Sequence, residues 1–363
     1  MEQIGGKLLG NGSIYTTLFK PSIQCKNKRY NRKNKNVSKI FYGNDSYYDS
    51  KSEFFINKLI KKKIHNYNKY FFIWEKLCKP PPYKVILKHD KDIKSCIQEE
   101  GITEDIFNKR SIMLIGKYAG INLLSSWIED SNKEHSLIKL INKYLIYIYQ
   151  ILFSILELKK INISHNDIHC KNIMILNNRA RLIDFGISDF LSRKTFISER
   201  SYELLGENRY FIPIPPDILF SELYNFKNVK KYTDLVGYEI LNIFHKNILN
   251  ESHFNQKIQS VFNSFKTKQK KELHNKNQSY QKLDVYSIGL IFPHLIYEYY
   301  TTKMKNDIKT MYTNYKHLCN NYEYINDFIS LFRNMANINV EERYTINKAF
   351  KIYTELLKTN KLL

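Results

Sequence analysis

Tryptophan occurs only twice in the 363 residues, proline 8 times and glycine 12 times. So little Gly and Pro excludes a collagen-like or low-complexity chain. Acid is scarce as well: 35 Asp plus Glu face 57 Lys plus Arg, a formal net charge of +22. Five cysteines stand at 25, 78, 96, 170 and 319. They are odd in number and form no C-x-x-C pair, so neither a disulfide framework nor a zinc ribbon is expected, and a reducing compartment is the default. The first residues lack the apolar run of a secretory signal. The most apolar stretch, Tyr144 to Leu158, is interrupted by Gln150 and falls short of the roughly 20 residues that a membrane span needs. The expectation is a soluble, cytoplasmic protein with no transmembrane segment. Oligomeric state is not legible.

What is present is globular: 43% hydrophobic and 25% charged residues, enough to bury a core, over a length that suggests two domains. Lys, Asn, Ile and Tyr are abundant together, the signature of AT-rich codon usage, and much of the positive charge reads as a solvated lysine surface. A basic face for nucleic acid, anionic lipid or acidic protein is the alternative, and the run at 26–35 is its best candidate, though nucleic acid is not favoured.

Residues 4–20 alternate around glycines and predict two strands joined by a Gly turn. The basic run follows as a loop, then a short strand from Val37 to Tyr42. Ser52 to Lys63 predicts a helix capped by Ser52, with Phe55 and Leu59, Ile56 and Ile60 at helical spacing. Weaker strand signals fall at 70–75, 83–87 and 111–116. Leu137 to Lys160 predicts a long helix buried at its centre. Two short apolar segments, Asn172 to Leu176 and Ala180 to Ile183, flank a turn at Asn177-Asn178. Residues 185–217 read as a long loop ending at Pro215-Pro216, and 218–280 as a Lys- and Asn-rich insert. Val285 to Tyr300 predicts a second apolar helix, and amphipathic helices are expected near 323–336 and 345–358.

The chemistry concentrates in His165-Asn166-Asp167-Ile168-His169-Cys170-Lys171-Asn172, followed by Asp184-Phe185-Gly186. An Asp, an Asn five residues on and a D-F-G after a short hairpin suit phosphoryl transfer. One carboxylate orients the attacking hydroxyl, while an Asn and a second carboxylate hold Mg²⁺ on the phosphates.

On these motifs the chain resembles the eukaryotic-type protein kinases over nearly its whole length. The resemblance implies an α+β, two-lobed kinase-like fold: a strand-rich N-lobe over 1–116, and a larger helical C-lobe over 117–363 that carries the insert. It implies that Lys39, on the strand Val37-Ser38-Lys39-Ile40, anchors the α/β-phosphates of ATP and that Glu53 pairs with it. Gly10 and Gly12, in Gly10-Asn11-Gly12-Ser13-Ile14-Tyr15, would cover the phosphates, although Tyr15 stands where the pattern has its third glycine. Ile112 to Tyr118 would enter the hinge, with backbone groups at Ile115 and Lys117 meeting the adenine. Asp167 would be the catalytic carboxylate, with Asn172 and Asp184 on Mg²⁺. Asp284 would hold the catalytic loop from the start of a helix, and Arg343 would pair with Asp217. Asn166 replaces the Arg that usually precedes the catalytic Asp, so docking of a phosphorylated activation loop through that Arg is not expected. His169 occupies the place of a phosphate-steadying Lys and can donate a hydrogen bond there.

The insert, the basic stretch after the Gly-rich loop and the run from Lys39 to Phe72 are similar to kinases of large eukaryote-infecting DNA viruses. The activity implied is transfer of the ATP γ-phosphate to Ser or Thr of protein substrates, acidic ones among them. A pseudokinase binding module and a small-molecule kinase of related fold are the alternatives.

Overall fold

A computed structural model describes residues 7–11, 16–20, 22–26, 36–42, 46–89, 97, 101–191, 238–267 and 281–363. Two compact units divide the chain: Met1–Gly120 with Ile183–Ser188, and Ile121–Leu182 with Asp189–Leu363. Gly12, Tyr15, the basic loop from Asn27 to Lys35, Pro215 to Asp217 and much of the insert lie outside the described residues.

The first unit is an antiparallel sheet of five strands in the order β1-β2-β3-β5-β4. The strands are β1 (Lys7–Asn11), β2 (Thr16–Lys20), β3 (Asn36–Phe41), β4 (Trp74–Cys78) and β5 (Ile112–Lys117). β3 and β5 are buried along nearly their whole length; β5 accordingly reads as an apolar run, whereas β3 buries the polar Ser38 and Lys39 among its apolar residues. Helix α1 (Ser46–Lys63) starts six residues earlier than its sequence signal, so Ser52 is interior and caps nothing. Its buried face is Glu53, Ile56, Asn57 and Ile60, whereas Phe55 is 52% exposed. The expected pairing of Phe55 with Leu59 was on the wrong side of the helix, because the polar Glu53 and Asn57 occupy core-facing positions.

Residues 83–87, expected as a strand, are helical within α2 (Tyr83–His89). Three prolines precede them, and the Pro82 carbonyl accepts hydrogen bonds from Val85 and Ile86; a proline just ahead of the first turn is pre-set for a helix. Ile23, Cys25, Ile40, Tyr42, Ile86, Phe107, Met113 and Ile115 pack into one cluster. Cys25 and Cys78, 53 residues apart, form a disulfide with their Cα atoms 5.8 Å apart. Composition and spacing pointed away from disulfides; one exists because β4 ends beside the segment that follows β2.

The second unit is built on the helix Leu137–Lys160, found at the bounds its periodicity predicts, with eleven residues buried. By length and composition alone this helix could cross a membrane, but 56% of its most apolar window is buried inside the protein. Tyr353 Oη reaches the Leu145 carbonyl at 2.9 Å, and Gln150 Oε1 accepts from Ala180 N at 2.8 Å. The polar residue that interrupts the apolar run thus satisfies a strand end.

Strands β6 (Ile121–Asn122), β8 (Ile173–Leu176) and β9 (Arg179–Leu182) form one small sheet, and β7 (Ile163–Ser164) pairs with β10 (Asp189–Phe190). β8 and β9 are joined through Asn177 and Asn178, both at positive φ (52° and 53°), the geometry a two-residue hairpin requires. The expected helix from Val285 to Tyr300 is broken into Leu283–Gly289 and Ile291–Glu298. Pro293 has no N–H and its ring presses on the carbonyl four residues back, at Gly289. Helices Tyr324–Met335 and Ile346–Thr359 match the two amphipathic signals near the end of the sequence.

Part of the insert folds as helices Tyr238–Ile243 and Phe254–Thr267 around a buried polar cluster. Glu251 lies 2.8 Å from His245 Nδ1 and 3.0 Å from Lys257 Nζ. Burial alone would raise Glu251, but His245 and Lys257 outweigh it and hold the carboxyl at about 2 against an ordinary 4.5. The lowered value means that Glu251 stabilises the fold above pH about 4.5 and that this contribution is lost as pH falls towards 2. The thermal-stability advantage of wild type over Glu251→Gln is expected to shrink across that window. A gap that stays constant would show that the cluster contributes nothing through this charge.

Candidate functional site

In the first unit, three charged side chains converge. Lys39 projects from the middle of β3 and is only 5% exposed. Its Nζ lies 3.3 Å from Glu53 Oε2 on α1 and 3.2 Å from Asp184 Oδ1. The ammonium also sits 4.8 Å above the Phe41 ring. Burial works against the charge on Lys39, but Asp184 and then Glu53 outweigh it and hold its pKa above the ordinary value. Glu53 is fully buried; burial pushes its carboxyl up to about 7, with Lys39 and a Trp74 hydrogen bond pulling the other way. The Asp184 side chain is 38% exposed, so of the two carboxylates it is the one that meets solvent. Asp184 itself is left-handed (φ 61°). Phe185 is buried edge-on against Phe71, their ring centroids 5.9 Å apart.

Gly10 lies in β1 opposite Leu18, at a register shift between Leu8 and Gly10. Gly12 cannot be placed, being outside the described residues. Ile115 is interior to the sheet, opposite Ser38 on one side and Lys76 on the other. Lys117 ends β5 opposite Asn36, and its exposed ammonium is 3.7 Å from Glu75.

In the second unit, the loop from His165 to Asn172 runs between β7 and β8 and is fixed from behind by Asp284, near the start of its helix. Asp284 Oδ2 accepts from His165 N (2.9 Å) and lies 3.0 Å from Ser164 Oγ, and Oδ1 accepts from Asn166 N (2.8 Å). Asn166 takes a left-handed conformation (φ 67°), unusual for a non-glycine residue and stabilised here by bonds to both its backbone and its side chain. Its Oδ1 accepts from Ser164 Oγ at 2.5 Å.

The turn delivers Asp167, whose Oδ2 accepts from Asn172 Nδ2 at 2.9 Å; the same amide donates to the Asp167 carbonyl at 3.0 Å. Asp167 Oδ1 is buried and has no hydrogen-bond partner among the described residues. His169 Nε2 is 3.8 Å from that oxygen, beyond hydrogen-bond range, while its Nδ1 accepts from Lys171 N. Arg343 is buried, donates from Nε to the Asn337 carbonyl at 2.7 Å and lies 5.1 Å over the Tyr286 ring. The expected partner, Asp217, lies outside the described residues.

Two contributors were not foreseen from sequence. Trp74 Nε1 donates to Glu53 Oε1 at 2.6 Å, and Asn57 Oδ1 accepts from Trp74 N at 2.7 Å. The only local signal for them was a polar Asn one helical turn after Glu53.

A family model described as a protein kinase domain matches residues 86–353. No curated protein matches the chain. The matched region contains the loop from His165 to Asn172, Asp184 to Gly186, Asp284 and Arg343. It begins within α2, past Lys39 and Glu53, so the reading of those two rests on the geometry of the first unit.

Proposed function

The chain belongs to the protein kinase domain family, and from that premise we propose that it transfers the γ-phosphate of ATP to Ser or Thr hydroxyls of protein substrates. The observation that carries the proposal is Asp167. One carboxylate oxygen is held by Asn172 and the other is buried with no hydrogen-bond partner among the described residues. An oriented acceptor with unused capacity is what an attacking hydroxyl needs.

The substrate hydroxyl donates to Asp167, its oxygen attacks the γ-phosphorus, the bond to the β-phosphate oxygen breaks and ADP leaves. Because a carboxylate is a weak base, the proton passes to Asp167 late. Lys39 binds the α/β-phosphates as a buried cation, with Glu53 keeping it in place. Asp184, a partly exposed carboxylate of the first unit, and Asn172 of the second each offer an oxygen ligand of the kind a hard cation takes, and Mg²⁺ held by them would neutralise charge developing on the phosphates. The strand that carries Gly10 would cover the phosphates, the backbone where β5 ends at Lys117 would receive adenine, Ile115 being paired on both sides within the sheet, and His169 would steady the γ-phosphate. The preference for Ser/Thr follows the family resemblance, and the likeness to kinases of large DNA viruses rests on the insert and the basic loop.

Labelled γ-phosphate from Mg·ATP, offered with mixed acidic and basic proteins, tests the reading against Asp167→Asn. Label on protein Ser or Thr that drops by at least about a hundredfold in the variant is the expected result. Nucleotide binding without protein label would overturn it in favour of a pseudokinase or a small-molecule kinase.

A further inference from the structure

Glu53 has two carboxylate oxygens and only one faces Lys39. That contact, 3.3 Å, is long for a charge-assisted hydrogen bond, which settles nearer 2.7–2.9 Å. The shorter contact is on the other oxygen, where the Trp74 indole N–H donates at 2.6 Å. The carboxylate is therefore oriented by the indole at least as firmly as by the lysine.

Three further features serve the same contact. Trp74 opens β4 at a register irregularity between Trp74 and Lys76, and a bulge re-aims the side chain beside it. Its cross-strand neighbour is Gly116, where a Cβ would come within 3.0 Å of the indole Cε3 and 3.1 Å of the Ile73 carbonyl. Only the absence of a side chain there lets the ring lie as it does. Asn57 then ties the strand to the helix: Oδ1 accepts from Trp74 N at 2.7 Å, and Nδ2 donates to the Glu53 carbonyl at 2.5 Å. A buried helix position that would ordinarily be apolar is thus polar and satisfied on both sides of its amide.

We infer that Trp74 and Asn57 are positioning residues that act through Glu53: they hold its carboxylate in the rotamer that keeps Lys39 on the nucleotide phosphates. The inference rests on the roles of Lys39 and Glu53 proposed above. Trp74 fixes the far oxygen, Asn57 fixes the backbone at both ends of the contact, and Gly116 makes room for the ring. Without the indole, the Glu53 carboxylate keeps only a long contact to Lys39, and Lys39 is left closer to Asp184 than to Glu53.

The test is a double-mutant cycle on the full chain, reading equilibrium affinity for Mg·ATP, phosphoryl-transfer kinetics and the thermal unfolding midpoint. Trp74→Phe keeps an aromatic side chain, though a smaller one, and removes the donor. It is expected to lower kcat/KM for ATP by about tenfold or more, the scale of a lost hydrogen bond to a charged group, with KM for the protein substrate unchanged. In a Glu53→Ala background the same substitution is expected to cost nothing further, because its target is gone.

Asn57→Ala is the second variant, for use if Trp74→Phe does not fold. It should show a smaller loss that also vanishes with Glu53→Ala. Losses that add across the cycle, or kinetics that follow only a lowered unfolding midpoint, would make Trp74 a packing residue and overturn the inference while leaving Asp167-dependent transfer standing. A wild-type chain that binds no Mg·ATP would overturn the proposed function as well.

Discussion

Asp284→Ala is expected to abolish measurable phosphoryl transfer and to destabilise the second unit as well. Asp284 is 4% exposed and accepts from the backbone N–H groups of His165 and Asn166, in the loop that bears Asp167. Alanine would strand those two N–H groups, at about 1–3 kcal/mol for each one left buried and unpaired. Loss of the Asn166 N–H bond also removes a restraint on a residue at φ 67°, and the chain on either side of it would relax away from the left-handed region. Asp167 follows directly, and a shift of about 1 Å in a reacting group costs on the order of a hundredfold in rate. Asp284→Asn keeps one oxygen acceptor and should fall between wild type and alanine. Transfer rates and thermal unfolding of the three proteins decide the matter; an alanine variant at wild-type rate would show that the loop holds its own shape.

The second large effect is expected from the disulfide. Cys25 and Cys78 close a loop whose ends are 53 residues apart, and that loop contains Lys39, Glu53, Asn57 and Trp74. Cross-linking a loop of this length stabilises by about 4 kcal/mol on chain-entropy grounds. The reduced chain, or one carrying Cys25→Ser and Cys78→Ser together, should unfold roughly 10 °C lower, with the loss confined to the first unit. Alkylation under denaturing conditions should find two more reactive thiols after reduction than before. Identical melting curves with and without reductant would show that the pair does not bridge in solution. In a reducing compartment this unit would work without its cross-link, close to the point at which β4 and the segment after β2 part.

Much of the second unit was legible in the sequence for a physical reason: its elements are long and periodic, or short and marked by their turns. The helix Leu137–Lys160 and the hairpin at Asn177-Asn178 are local statements. So is the spacing of Asp167 and Asn172, since the loop that carries them spans few residues, and Asp184, of the first unit, follows after one short hairpin. The errors came where tertiary contacts override local pattern. Tyr83 to Leu87 is a short apolar run that periodicity cannot assign to strand or helix, and the preceding prolines decided it. The buried face of α1 is polar at Glu53 and Asn57 because their partners, Lys39 and Trp74, come from strands far off in sequence. The hydrophobic pattern therefore found Ile56 and Ile60, which are buried, but added Phe55, which is exposed. Cys25 with Cys78 was hidden for the same reason. Asp284, 118 residues from the backbone it holds, was reached through family resemblance alone.

Asn66, Asn162, Asn166, Asn177, Asn178 and Asn250 all hold positive φ, while the whole chain has 12 glycines. Asparagine tolerates the left-handed region better than other residues with a side chain, but glycine does so without steric cost. A chain whose codon bias supplies asparagine in place of glycine folds through turns that are slightly strained at many points. The consequence is evolutionary: apart from Asn166, whose side chain is itself hydrogen-bonded, these positions form a standing store of stabilising substitutions. One base composition withholds it and another would release it, so relatives in GC-richer genomes should differ first at these turns.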